Sequence, residues 1–188
     1  MICERDILDN DVYLLSEELR DYIENKKENN QKIMFLCIGT DRCIGDALGP
    51  ITGTILKKKG YNVLGTISKP VHAQNIDGVI EKIKVSDDFV IAIDASVTSN
   101  SDRVGKVIIQ DSQLSPGLGL GKNLPKVGDI SIIGNIATEI EGFKHLTYEI
   151  LSNTRLAYIY TMANMIANIV ELATEASLMK IGEEVAIC

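Results

Sequence analysis

The chain has no tryptophan, only three phenylalanines and only two histidines. With aromatics at 5% of residues, a core must be assembled from Ile, Leu, Val and Ala. Cysteine is scarce too. Cys3, Cys37, Cys43 and Cys188 include no CxxC pair, and two lie near the chain ends. That spacing excludes a thiolate zinc site and a disulfide framework. Cys37, inside an apolar run, reads as a small buried hydrophobe, and Cys43 as a loop residue without a chemical role. Neither histidine belongs to an HExxH motif or a Ser–His–Asp order, so zinc-peptidase and serine-triad chemistry are not signalled. His72 and His145 read as structural or solvent-facing. Positive charge is also in deficit: 19 Lys and Arg face 26 Asp and Glu, a formal net charge of −7. A nucleic-acid binder needs a basic face, so direct nucleic-acid binding is not expected. Long hydrophobic runs are missing as well. Leu156 to Val170 carries Thr161, Asn164 and Asn168 and falls short of the ~20 residues that span a bilayer. The N-terminus, MICERDILDN, is too charged for a signal peptide. No membrane partner is expected, and the expected compartment is cytoplasmic.

What the chain does have is an alternation of apolar runs and helical patterns. Residues 11–27 place Val12, Leu14, Leu15, Leu19, Tyr22 and Ile23 on one helical face. Lys32–Ile38 is a short, nearly continuous apolar run of the kind buried on both faces of a sheet. Gly39 breaks it, and a loop with Thr40, Asp41 and Arg42 leads to Asp46. Asp46 is expected to start a helix and cap it with its carboxylate. That helix carries Leu48, Ile51, Ile55 and Leu56, and ends at Lys57–Lys59 and Gly60. A weaker strand is expected at 62–67, a helix at 73–84 and a buried strand at 89–94, ending in Asp94. Further strands are expected at 105–110 and 129–134. The final helix is expected from about Thr147 to Ala176, with a tail behind it. The whole reads as a single domain: helix and linker over 1–30, α/β core over 31–176, tail over 177–188.

Strand–helix alternation predicts a three-layer α/β/α fold with a mostly parallel, twisted sheet of about five strands. Right-handed crossovers then bring the ends of strands 32–38 and 89–94 to the same sheet edge. Asp46 and Asp94 would meet there. Two acids that close can share a proton, and the pair could activate water for amide hydrolysis or hold a divalent metal.

Residues 115–129, SPGLGLGKNLPKVGD, hold four of the fifteen glycines and two of the four prolines. They match neither a Walker loop nor a dinucleotide fingerprint. The free N–H groups around Gly117, Gly119 and Gly121 could instead cradle a substrate carbonyl or oxyanion, and Lys122 could neutralise an acid. Arg155, on an otherwise apolar helix, is expected to form a structural ion pair or to reach solvent.

DALGP (46–50), IDA (93–95) and PGLGLGKN (116–123) resemble, in the same order, motifs of the germination protease of spore-forming bacteria. The wider resemblance is to hydrogenase maturation proteases, with their phosphorylase/hydrolase-like α/β fold. GKNLPKVGDISIIG and SNTRL resemble in particular the YyaC-type spore protease family, over roughly residues 30–172. The resemblance places the germination protease's two essential aspartates on Asp46 and Asp94. It implies an atypical aspartate-dependent peptidase, a hydrolase without a cofactor. In a peptidase of this kind Thr40 and Asp41 are expected to orient the loop, and Gly117, Gly119, Gly121 and Lys122 to bind substrate backbone or an oxyanion. The implied partner is a protein substrate, small acid-soluble spore proteins being the candidate, in the forespore or mother cell. Homo-oligomerisation is left open. The N-terminal helix reads as an ordinary amphipathic helix, not an inhibitory pro-segment. Two alternatives stand beside this reading. One is a non-enzymatic sporulation protein that binds a partner in the same cleft. The other is a metal-dependent maturation-type peptidase using Asp46 and Asp94, whose third ligand could only be His145.

Overall fold

Apolar side chains on alternate positions of the central strands pack helices against both sheet faces. The structure, a computed structural model, describes residues 11–28, 30–116, 124–140 and 142–185, leaving aside the side chains of 144 and 175–185. In chain order the elements are α1 (Val12–Lys26), β1 (Ile33–Cys37), a 3₁₀ turn (Gly45–Ala47), α2 (Leu48–Lys58) and β2 (Val63–Leu64). Then come α3 (Ile76–Ser86), β3 (Phe89–Thr98), β4 (Val107–Gln110), β5 (Ile130–Thr138), α4 (Thr147–Ser152) and α5 (Leu156–Val185). The sheet order is β2-β1-β3-β5-β4. Every pairing is parallel except β4 with β5. This is the mostly parallel five-stranded α/β sheet that the alternation predicts.

The two faces divide by residue parity. Phe35, Cys37, Ile91 and Ile93 join one core cluster with side chains of α1, α2 and α5. Leu36, Ile38, Val90 and Ala92 join a second with Ile76 at the start of α3. Ile91 and Ile93 are fully buried, each such side chain stabilising the fold by roughly 1.5–3 kcal/mol. Cys37 belongs to this core as expected, and burial raises its thiol pKa well above the ordinary value.

Several elements depart from the expected pattern. β3 runs four residues past Asp94, to Thr98, because β5 pairs alongside it as far as Thr98↔Thr138, across an irregularity at Ser96/Val97. Asp94 is therefore inside a strand, not at its end. β2 contracts to two residues because Gly65 adopts φ +90°. The last helical region is two helices, broken at 153–155, so the SNTRL segment is a connection. Arg155 lies in that break and is exposed, reaching solvent as one of the two expectations had it, with its guanidinium 5.2 Å above the Tyr158 ring and no ion pair to an acid among the described residues. α5 also continues to Val185 instead of ending near Ala176.

Within α5, Leu156–Thr174 is a 19-residue segment long and apolar enough, by length and composition, to cross a membrane. The expectation of a run too short to do so is thereby corrected, the three polar residues being outweighed over the longer window. Half of that segment is buried inside the protein. Ile159, Met162, Ala163, Ile166, Ile169, Val170 and Ala173 are all part of the first core cluster, so its apolarity is that of a core helix.

Candidate active site at the switch point of the sheet

From β1 the chain crosses to β2 on one side, and β3 lies on the other. The crevice at the carboxyl ends of β1 and β3 is thus the topological switch point, where open α/β sheets bind ligands. A pocket of about 290 Å³ opens there. Its walls come mainly from four places. The β1–α2 loop contributes Thr40, Cys43 and Asp46, and β3 contributes Asp94. The β2–α3 loop contributes His72, Ala73 and Gln74, and α4 contributes Tyr148 and Leu151.

Asp46 reaches the pocket because the loop after β1 doubles back on itself. Gly39 makes this possible with φ +136°; a Cβ there would stand 1.9 Å from the Asp46 carbonyl oxygen. The Thr40 N–H donates to that carbonyl at 3.1 Å and to Asp46 Oδ2 at 3.0 Å. Thr40 Oγ1 accepts from the Arg42 N–H at 3.3 Å, which closes the turn. Gly49 lets the start of α2 press onto the end of β1, where a Cβ would lie 2.0 Å from the Ile38 carbonyl oxygen. The expected capping role of Asp46 is not found. Asp46 sits in the 3₁₀ turn, α2 begins after Ala47 without a side-chain cap, and the carboxylate is committed to the Thr40 N–H.

Asp94 reaches the same pocket from the sheet. β1 stops pairing at Cys37↔Ile93, and the Ile38 N–H still donates to the Ile93 carbonyl at 2.8 Å. The next β3 residue is therefore uncovered where β1 turns away. Asp94 is 9% exposed, and its Oδ1 accepts the Ala95 N–H at 2.8 Å. Its pKa is raised well above the ordinary carboxylate value. Burial is the main cause, since it penalises the charged form, and the negative charge of Asp46 is the second. The Ala95 N–H opposes both. Burial thus disfavours the charged form of one acid, beside a second acid whose carboxylate accepts the Thr40 N–H. That is the asymmetry a proton-sharing pair requires.

The supporting residues fare unevenly. Thr40 ties the loop to Asp46 through its N–H and closes the turn through its hydroxyl. Asp41 is exposed and lies outside the pocket wall. Gly117, Gly119, Gly121 and Lys122 lie outside the described residues, though Pro116 and Leu124, which flank that segment, both line the pocket. Cys43, read as an idle loop residue, is 3% exposed, contributes to the wall and lies 3.4 Å from Ser152 Oγ. His145 is exposed and tilted against Phe143. His72 is the residue the sequence reading passed over. A parallel bridge Ile38↔Val71, with the Gly39 N–H donating to the Val71 carbonyl at 2.8 Å, sets His72 beside the Asp46 loop. Its position between a strand and a helix was the available signal, because every such loop of a parallel sheet emerges at the same edge.

A maturation-type metal site would need a third side chain beside Asp46 and Asp94. Among the described residues, no three His, Cys, Asp or Glu side chains come together closely enough to hold an ion. Residues 117–123 contain none of these residue types, and His145 does not face the pocket wall. Among the described residues, the arrangement supplies no third ligand for the maturation-type alternative.

Comparison with known proteins adds relatives. The solved structure of the [NiFe] hydrogenase maturation protease HycI from Thermococcus kodakarensis is similar at a TM-score of 0.43 and 18% identity. The match covers 82% of this chain and 99% of that one. The uncharacterized protein YyaC of Bacillus subtilis is 41% identical over 159 residues, which is 82% of this chain and 72% of that protein. Residues 7–169 match the family described as protein of unknown function DUF1256, and the chain belongs to that family.

Proposed function

We propose that the protein is a sporulation-associated peptidase that hydrolyses peptide bonds with Asp46 and Asp94. The carrying observation is that Asp46 and Asp94 line the same switch-point pocket, where burial and the charge of Asp46 disfavour the charged form of Asp94. The sequence motifs that resemble the germination protease select these same two acids out of 26 Asp and Glu. In the proposed reaction, Asp46 takes a proton from water as its oxygen attacks the scissile carbonyl carbon. Asp94 gives its proton to the carbonyl oxygen. The tetrahedral gem-diol then collapses: Asp94 recovers its proton, Asp46 passes the one it took to the leaving amine, and the C–N bond breaks.

Small acid-soluble spore proteins are the proposed substrates, and the forespore or mother-cell cytoplasm the proposed place. The net charge of −7 would draw a basic segment toward the site. The free thiols of Cys37 and Cys43 suit a reducing compartment. The test is to incubate the purified chain with small acid-soluble spore proteins beside Asp46→Asn and Asp94→Asn. Cleavage is expected from the native chain and from neither variant. Cleavage that survives both substitutions refutes the assigned roles. Binding without cleavage, little weakened in either variant, would transfer support to the partner-binding alternative.

A further inference from the structure

We infer that His72 is a third functional residue of this pocket, a hydrogen-bond donor to the oxygen of the scissile carbonyl as it becomes tetrahedral. The inference rests on the peptidase reading and extends it.

Three observations carry it. His72 lines the same pocket as Asp46 and Asp94 and is half-buried. Its backbone is fixed from both sides. The His72 N–H donates to Asn75 Oδ1 at 2.8 Å, and the His72 carbonyl accepts from Asn75 and Ile76 at 3.0 Å each. Asn75 is held in turn, its Nδ2 donating to the Pro70 carbonyl at 2.9 Å. Most telling is the ring. Nδ1 accepts the Gln74 N–H at 3.3 Å. A ring nitrogen that accepts carries no proton, so in the neutral imidazole the proton sits on Nε2. The loop thus selects the tautomer whose N–H is directed away from its own backbone. The imidazole offers a donor without first becoming charged.

The pair of acids leaves this task unfilled. Asp94 protonates the carbonyl oxygen, but that oxygen has a second lone pair. A preorganised donor at the position where negative charge develops is among the largest single contributions to catalysis. His72 does not complete a metal group with the acids, so a role as donor, not as ligand, fits its placement. No additional reactant is required: Nε2–H donates throughout and keeps its proton.

The test uses one peptide sequence from a small acid-soluble spore protein in two forms, the natural amide and a phosphonamidate in place of the scissile bond. Binding of both is measured by calorimetry for the native chain, His72→Ala and His72→Gln, and kcat and KM are measured with the amide. The native chain is expected to prefer the phosphonamidate. His72→Ala should abolish most of that preference and lower kcat by on the order of 10²-fold, with KM little changed. His72→Gln, which keeps an N–H, should recover part of both. Because the chain has two histidines, their nitrogen NMR signals are assigned by one substitution, and the His72 signal should report the Nε2–H tautomer.

A phosphonamidate preference that survives His72→Ala overturns the inference, as does an Nδ1–H tautomer. If the native chain cleaves nothing yet shows a His72-dependent preference, the peptidase reading falls and His72 is left as a donor to a tetrahedral anionic ligand in this pocket. If cleavage depends on the two aspartates but not on His72, the reading stands and the inference falls. A native chain without either property overturns both.

Discussion

Replacing Asp94 with Asn should make the protein more stable at neutral pH and flatten its dependence on pH. Asp94 has a raised pKa in the folded protein because it is buried and faces the charge of Asp46. In the unfolded chain it returns to its ordinary value. Between those two values the native state binds more protons than the unfolded one, so stability falls as pH rises. The contribution is fully present below the ordinary value and is lost on approach to the raised one. One group can change stability by at most about 1.4 kcal/mol per pH unit in this window. With a urea m-value near ~3 kcal/mol/M for a chain of this size, the midpoint moves by about 0.5 M per unit. Asn keeps the geometry: its Oδ1 can still accept the Ala95 N–H that Asp94 accepts at 2.8 Å. It removes only the titration and the repulsion from Asp46. The assay is urea unfolding of both proteins from about pH 4 to pH 8, followed by circular dichroism. The native curve should descend relative to that of Asp94→Asn as pH rises. Asp46→Asn should narrow the window by removing the second cause of the shift while leaving burial, the first. Parallel curves for the native chain and Asp94→Asn would refute both the raised pKa and the acid role assigned to Asp94.

Four other outcomes follow from named contacts. Gly39→Ala places a Cβ against the Asp46 carbonyl at a φ of +136°. It should cost at least roughly 1–3 kcal/mol by the strain alone and abolish turnover, as read by thermal melting and by cleavage of the same substrate. Phe35→Ala removes a fully buried ring that packs edge-on against Tyr61 at 5.5 Å. It should lower stability by roughly 3–5 kcal/mol while leaving the pH dependence of Asp94 in place. Cys43→Ala should retain turnover, since Cys43 Sγ contacts Ser152 and is assigned no step; loss of turnover without loss of stability would restore a thiol to the mechanism. Turnover should also persist in excess chelator, because no three ligating side chains gather among the described residues. Activity that chelation removes and a divalent ion restores would reinstate the metal-dependent alternative.

The acid pair could be found in the sequence because its placement follows from rules of long range. Buried runs alternating with helices imply a parallel sheet, and a parallel sheet gathers its strand–helix loops at one edge. That reasoning requires neither the length of β3 nor the local role of Asp46, and both were misjudged. Asp94 looked like a strand end because polar residues follow it; the strand continues because β5 supplies partners that the local pattern around Asp94 does not reveal. Asp46 looked like a helix cap because it precedes an amphipathic run; its carboxylate instead takes the Thr40 N–H that the turn at Gly39 delivers. His72 escaped for the converse reason. Composition made a histidine near Pro70 look incidental, yet its value comes from a bridge between Ile38 and Val71 and from one N–H two residues on. The same edge rule that found Asp46 and Asp94 applies to the β2–α3 loop without change. In a fold of this class, each polar residue that follows a buried strand belongs among the candidates for the site, before its residue type is weighed.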